Sequence, residues 1–261
     1  MAINPAVSVI IPTFNRAKFV TLAIDSVLSQ TYKDFEIIVV DDGSTDTTQE
    51  VIAPYRDKIK YIRQNNLGAS AARNTGILNS NAKYIAFLDS DDLFVPGKLE
   101  KQVPVLDERD DVATVYSNIY YCDPSGKIIS VAFKDKLFPA GDILEKVLFR
   151  KAMCGYLQTW LIRKRCFDEI GLIDASLKMS EDRDMSLRVA MKYRIYGLKE
   201  PLTIVRQHEP GSRLGRSPAK EREYFYFKLV DKLLKEYGDP RIEKNKKRII
   251  ADYFFSPAEI I

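Results

Sequence analysis

Tyr84-Ile85-Ala86-Phe87-Leu88-Asp89-Ser90-Asp91-Asp92 reads as a strand that runs directly into three carboxylates. A short, unbroken apolar run of this kind suits a strand buried on both faces, as in a parallel sheet. Negative charge concentrated at the end of such a strand is costly unless something neutralises it. Clustered oxygen ligands suit hard divalent cations such as Mg²⁺ or Mn²⁺. In an open α/β sheet, the carboxyl ends of the strands are also where ligands bind.

The same pattern recurs toward the N-terminus. Val7–Ile11 is continuously apolar and β-branched, and Pro12-Thr13-Phe14-Asn15 ends it. Val20, Ala23, Ile24, Val27 and Leu28 then share one helical stripe. Phe35–Val40 is a second buried strand, stopped by Asp41-Asp42-Gly43-Ser44, and Ser44 or Thr45 is placed to cap a helix running to Tyr55. Ile59–Ile62 reads as a third strand, Ala69–Leu78 as a helix carrying Arg73, and Lys83–Leu88 as the strand that delivers the acids. Alternation at this spacing predicts parallel βαβ units with right-handed crossovers, an α/β fold.

Toward the C-terminus the alternation is less regular. A helix from Pro96 to Glu108 precedes a strand over Val112–Tyr121, and Asp123-Pro124-Ser125-Gly126 turns it back along Lys127–Val131. Helices around Asp142–Phe149 and Glu181–Tyr193 flank a strand near Leu157–Arg163, and Leu202–Val205 reads as one more strand. From Ser217 the pattern is two helices broken at Gly238-Asp239-Pro240. The predicted organisation is one α/β domain over 1–216, with a regular half over 1–110 and a less regular half over 111–216, and a helical extension over 217–261.

Composition narrows the function classes. A chain of 261 residues, 46% apolar and 29% charged, is an ordinary globular protein, and a net charge of +4 does not argue for nucleic acid. The three cysteines, Cys122, Cys154 and Cys166, lack metal-ligand spacing and read as reduced thiols. With no signal-peptide pattern and no membrane-spanning apolar run, the expected location is cytoplasmic.

Three of the first four strands end in polar or acidic turns, and a parallel sheet gathers these on one edge. Asp, Asn, Ser and Gly also make good turns on their own account. The convergence of acids, hydroxyls and amides is what points to a ligand crevice. No G-x-x-x-x-G-K-[ST] and no G-x-G-x-x-G follows the first strand, so a phosphate-bearing ligand requires a cation and basic side chains such as Arg73.

The ordered series Val-Ser-Val-Ile-Ile-Pro-Thr-Phe-Asn-Arg (7–16), Ser-Gln-Thr-Tyr (29–32), Ile-Val-Val-Asp-Asp-Gly-Ser-Thr-Asp (38–46), Gly-Ala-Ser-Ala-Ala-Arg-Asn (68–74) and Phe-Leu-Asp-Ser-Asp-Asp (87–92) resembles family 2 of the glycosyltransferases. The likeness is dense over 7–100 and looser to 210. It implies the GT-A fold and inverting sugar transfer from a nucleotide-diphospho-sugar, a UDP-sugar first, to a glycan or a lipid- or protein-linked acceptor. By that resemblance Pro12, Thr13, Asn15 and Asp42 would hold the nucleotide, with Asp42 accepting from a ring N–H of the base. Asp41 would orient the ribose side, and Arg73 would lie near the base or phosphates. The Asp89-Ser90-Asp91-Asp92 segment resembles the family's DxD signature. Asp89 and Ser90 would face the ribose or donor sugar, and Asp91 and Asp92 are favoured as ligands of Mn²⁺ or Mg²⁺.

Glu181 and Asp182 have a structural explanation, since Ser180 suits a helix N-cap and first-turn acids complement the helix dipole. The resemblance makes Asp182 the general base, and Glu181 beside it would contact the nucleotide-sugar. His208, the single histidine, begins a polar loop and is a candidate for touching the metal or diphosphate, with Arg213 and Arg216 behind it. Trp160 and Met153–Tyr156 suit core packing better than an acceptor pocket. The basic, aromatic C-terminal helices suit docking on the catalytic domain or a second subunit, or contact with an anionic membrane surface. A non-catalytic nucleotide-sugar-binding protein is the alternative, and the presence of both acidic clusters argues against it.

Overall fold

The computed structural model of the chain describes residues 4–134, 138–149, 154, 156–177, 179–208 and 219–255. The predicted alternation is present: β1 (Val7–Thr13), α1 (Val20–Leu28), β2 (Phe35–Asp41), α2 (Thr48–Ile52), β3 (Lys60–Arg63), α3 (Ala69–Leu78) and β4 (Tyr84–Phe87). β5 (Leu93–Phe94), α4 (Lys98–Glu108), β6 (Val112–Cys122), β7 (Ile128–Val131), α5 (Leu144–Leu148), β8 (Leu161–Arg163), α6 (Cys166–Ile170), α7 (Glu181–Lys192) and β9 (Arg194–Arg206) follow, then α8 (Ala219–Tyr237) and α9 (Pro240–Phe255).

The sheet runs β3-β2-β1-β4-β8-β6-β9-β5, with β7 on β6. β1 lies between β2 and β4, parallel to both, so the strand order reverses there and a crevice opens at the carboxyl ends. β8 pairs antiparallel with β4 and with β6. Alternation along β1 sends Val9 and Ile11 to one face, in a core cluster with Ala23, Ile24 and Leu99, and Ile10 to the other, with Ala72 and Ile77. Gly76 lets α3 settle on β1: a Cβ there would stand 2.4 Å from Ile10 Cγ2.

Several expectations need correction. Leu157–Arg163 is a 3-10 turn over Leu157–Thr159 followed by the three-residue β8, because the turn's groups bond to side chains from other elements instead of a ladder. Leu202–Val205 is the end of the 13-residue β9, whose N-terminal half lacks an apolar run because it is less buried. Two short elements, β5 and α6, went unread. Pro12 and Thr13 belong to β1, where Thr13 pairs with Asp41, instead of forming a turn. α2 begins at Thr48, and its first N–H is taken by Asp46 Oδ1 at 3.0 Å instead of by Ser44 or Thr45.

The break at Gly238-Asp239-Pro240 falls between α8 and α9 as expected, with Gly238 at φ +59°. The apolar residues of these helices, including Tyr226, Leu229, Leu233, Ile242 and Ile249, are buried in the cluster that holds Ile85 and Met185. These residues dock the two helices against the rest of the chain. No helix among the described residues is long and apolar enough to cross a membrane.

Candidate active site

The carboxyl ends of β1, β2 and β4 and the start of α7 bring the acids together. Arg73, one turn into α3, is buried, and its Nη2 donates to Asp89 Oδ1 at 2.6 Å while Nη1 lies 3.7 Å from Glu181 Oε1. Its Nε and Nη1 are buried and make no hydrogen bond among the described residues. A buried guanidinium with idle donors, ringed by carboxylates, is a group set to meet further oxygens. This places Arg73 beside the second acidic cluster as well as the first.

Asp182 stands at the same corner. Loss of water around its carboxyl, then the neighbouring Glu181 charge, push its pKa up to about 8. Asp89 adds to the rise, while Arg73 and a backbone bond from Leu157 oppose it. Ser180, just before it, holds φ +69° in the left-handed region and makes no side-chain cap bond, so it is not the conventional N-cap its sequence suggested.

Asp91 and Asp92 differ sharply. Asp91 Oδ2 lies 2.7 Å from His208 Nε2 and 3.8 Å from Arg16 Nε, and both acid and imidazole remain partly open. Asp92 is buried, with Oδ1 accepting from the Arg206 backbone N–H at 2.9 Å and Oδ2 from Gln158 Nε2 at 3.3 Å. Its carboxylate is engaged by the protein, which disfavours it as the metal ligand expected from sequence. Ser90, between Asp89 and Asp91 in the chain, is buried. Among the described residues no three His, Cys, Asp or Glu side chains converge on one cation position. Mg²⁺ and Mn²⁺ sites that share their ion with substrate phosphates need only one or two protein groups, and the oxygen-plus-imidazole pair of Asp91 and His208 fits that pattern.

The N-terminal turns are braced from within. Asp42 Oδ1 accepts from Gln64 Nε2 and Leu67 N, at 2.7 and 2.9 Å, and Oδ2 from Gly68 N at 2.7 Å. The carboxylate therefore fixes the loop before α3, and three protein donors already occupy the acceptor expected to meet a nucleobase. Asp41 is wholly buried, bonded through Oδ1 to Ser44 N and through Oδ2 to the Tyr61 hydroxyl. Burial and that bond raise the Tyr61 pKa. Asn15, at φ +51°, accepts from Thr45 N and Asp46 N and so clamps the first polar turn to the second. Thr13 Oγ1 is buried without a hydrogen-bond partner among the described residues. A cavity of about 690 Å³ beside Ser44, Thr45 and Arg63 lies outside this gathering of acids.

Sequence reasoning missed Gln158 and Arg206. Gln158 sits in an apolar context that read as strand, and Arg206, noticed only as part of the polar loop of His208, fixes Asp91 by donating from Nε to its carbonyl at 3.1 Å. Trp160 is fully buried, donating from Nε1 to the Cys154 carbonyl at 2.7 Å, which bears out core packing. Met153, Arg213 and Arg216 lie outside the described residues.

With this geometry in view, the chain matches the model of glycosyl transferase family 2 over residues 8–171. It is 33% identical over 245 residues to an uncharacterized glycosyltransferase of Rickettsia typhi, spanning 89% of this chain and 74% of that one. Its fold is similar to S. aureus TarS in complex with UDP-GlcNAc, with a TM-score of 0.73 and 21% identity over 95% of this chain and 71% of the other. The mannosyltransferase PcManGT from Pyrobaculum calidifontis, in complex with GDP-Man and Mn²⁺, gives a TM-score of 0.67 at 17% identity over 98% of this chain and 71% of that one. At these identities the structural likeness is one of fold, and the fold is the GT-A architecture expected from sequence.

Proposed function

The chain belongs to glycosyl transferase family 2, and from that premise we propose that it is a metal-dependent, inverting transferase moving a sugar from a nucleoside diphosphate, UDP first, to a hydroxyl of a glycan or of a lipid- or protein-linked sugar. The observation that carries this reading is the meeting of Asp89, Glu181 and the perturbed Asp182 around Arg73, beside Asp91 and His208. Strongly shifted acids in a crevice are candidates for proton transfer. Nucleotide sugars bound to TarS and PcManGT support the choice of donor class.

Asp91 and His208, 2.7 Å apart, are the groups that would hold the divalent ion. When bound, the ion supplies positive charge that stabilises the departing diphosphate. Asp182 accepts the proton of the acceptor hydroxyl while the hydroxyl oxygen bonds to the anomeric carbon. The bond from that carbon to the phosphate oxygen breaks on the opposite face, and the nucleoside diphosphate leaves with the electron pair. Arg73 holds Asp89 toward the donor sugar and offers its idle N–H groups to it. Thr13, Asn15 and Asp42 shape the nucleotide end, with Asp41 and Asp92 as internal braces.

A thermal-shift screen with UDP-GlcNAc, UDP-glucose, UDP-galactose and GDP-mannose tests the reading. Stabilisation that needs Mn²⁺ and vanishes with EDTA is expected, and at a hundred Kd of ligand it amounts to about 2.7 kcal/mol. NMR of the product should show the anomeric configuration opposite to that of the donor. Retained configuration removes the inverting mechanism, and EDTA-insensitive turnover removes the metal.

A further inference from the structure

Lys232, on α8 and outside the span matched by the family model, reaches back to the helix that carries Asp182. Its Nζ donates to Asp174 Oδ2 at 2.6 Å and to Asp184 Oδ1 at 3.2 Å. These two acids bracket Glu181-Asp182 along the chain. Asp184 is wholly buried and gives its other oxygen to Arg188 Nε at 2.8 Å. Burial alone would raise the Asp174 pKa, yet bonds from Lys232 and Ser176 hold it down at about 2.

Two further contacts show why a clamp matters here. Ile173 N–H donates to Asn74 Oδ1 at 3.0 Å, and Asn74 Nδ2 donates to the Ile173 carbonyl at 2.7 Å, so the approach to α7 is tied to the residue next to Arg73. Ser180 then takes a left-handed conformation that a residue other than glycine keeps only when its surroundings enforce it. α8 is itself firmly seated: the Tyr226 hydroxyl donates to the Leu148 carbonyl at 2.7 Å, and Leu229, Val230 and Leu233 are buried.

We propose that Lys232 is a positioning residue for the base: by gripping Asp174 and Asp184 it sets the first turn of α7 so that Asp182 faces the crevice, which makes the C-terminal helices part of the catalytic apparatus. The inference rests on the assignment of Asp182 as base.

The test compares Lys232→Met and Asp174→Asn in the full chain, following nucleoside diphosphate release from the faster of UDP-GlcNAc and GDP-mannose with Mn²⁺, water serving as acceptor. Misplacement of a reacting group by about an ångström costs about 10²-fold, so kcat should fall by about ten- to a hundred-fold. The donor–Mn²⁺ dissociation constant by calorimetry should stay within about two-fold, since the donor side of the crevice is untouched. Amide exchange in Glu181–Asp184 should quicken while β1 and α3 stay protected. The double variant should be no slower than Lys232→Met, which already removes both bonds. Unchanged kcat in either folded variant, or equal losses of kcat and donor affinity, overturns the proposal. If Lys232→Met does not fold, Asp174→Asn decides, because it leaves Lys232 on buried Asp184. Asp182→Asn in the same assay separates the two claims: full turnover there removes the base assignment itself, whereas its loss beside an unaffected Lys232→Met removes only the clamp.

Discussion

Asp92 accepts from Arg206 N–H and Gln158, whereas its neighbour Asp91 faces His208 and Arg16 at a partly open position. Asp92→Ala should therefore lower stability by about 1–3 kcal/mol, because it orphans a buried backbone N–H, and chemical denaturation measures this. Asp91→Ala should leave stability nearly unchanged and weaken Mn²⁺-dependent nucleotide binding by about ten-fold or more. Asp182 carries a pH signature. A base must be unprotonated to act, so kcat/KM should rise with pH through about 8, and Asp182→Asn should flatten that rise. The stability sign is opposite. A carboxyl whose folded pKa lies above its unfolded one costs nothing below the unfolded value and destabilises increasingly as pH rises toward about 8. Asp182→Asn should accordingly melt above the parent protein at pH 8 and level with it near pH 4, a residue kept at some expense of stability. That Asp91 and Asp92 divide their labour was not legible in the sequence, because the partner that consumes Asp92 arrives from β9, far along the chain.

At the scale of the element, α3 matters through where it sits. Its Gly76 lies against Ile10 so closely that a methyl group would stand 2.4 Å from Cγ2. Gly76→Ala should destabilise the chain by about 1–3 kcal/mol through overpacking, partly offset by about 1 kcal/mol of helix propensity. It should also shift Arg73 away from Asp89, so turnover falls more than the stability loss alone explains; melting curves and kinetics on the same sample check this. Buried strands such as Val7–Ile11 and Phe35–Val40 were legible because continuous apolar runs leave little alternative. The Leu157–Thr159 turn was not, because its residues are as apolar as a strand's and only long-range bonds from Lys98 and Gln102 to the Thr159 carbonyl mark it as something else.

For the whole molecule, strand order does most of the work. The reversal at β1 gathers the ends of β1, β2 and β4, and α7 then brings Asp182 across to Arg73. The first half of that crevice could be read from regular βαβ spacing. The second half mixes antiparallel strands, short helices and a docked C-terminal pair, and its place relative to the acids came only with the three-dimensional structure. The central claim is that Asp182 removes the acceptor proton while other residues of the crevice hold the donor. It is tested most directly by Asp182→Asn, assayed for Mn²⁺-dependent UDP binding by calorimetry and for sugar transfer in parallel. The account predicts binding within about two-fold of the parent protein and transfer lowered by about 10²–10⁴-fold. Undiminished transfer, or binding lost together with transfer in a folded protein, would contradict it.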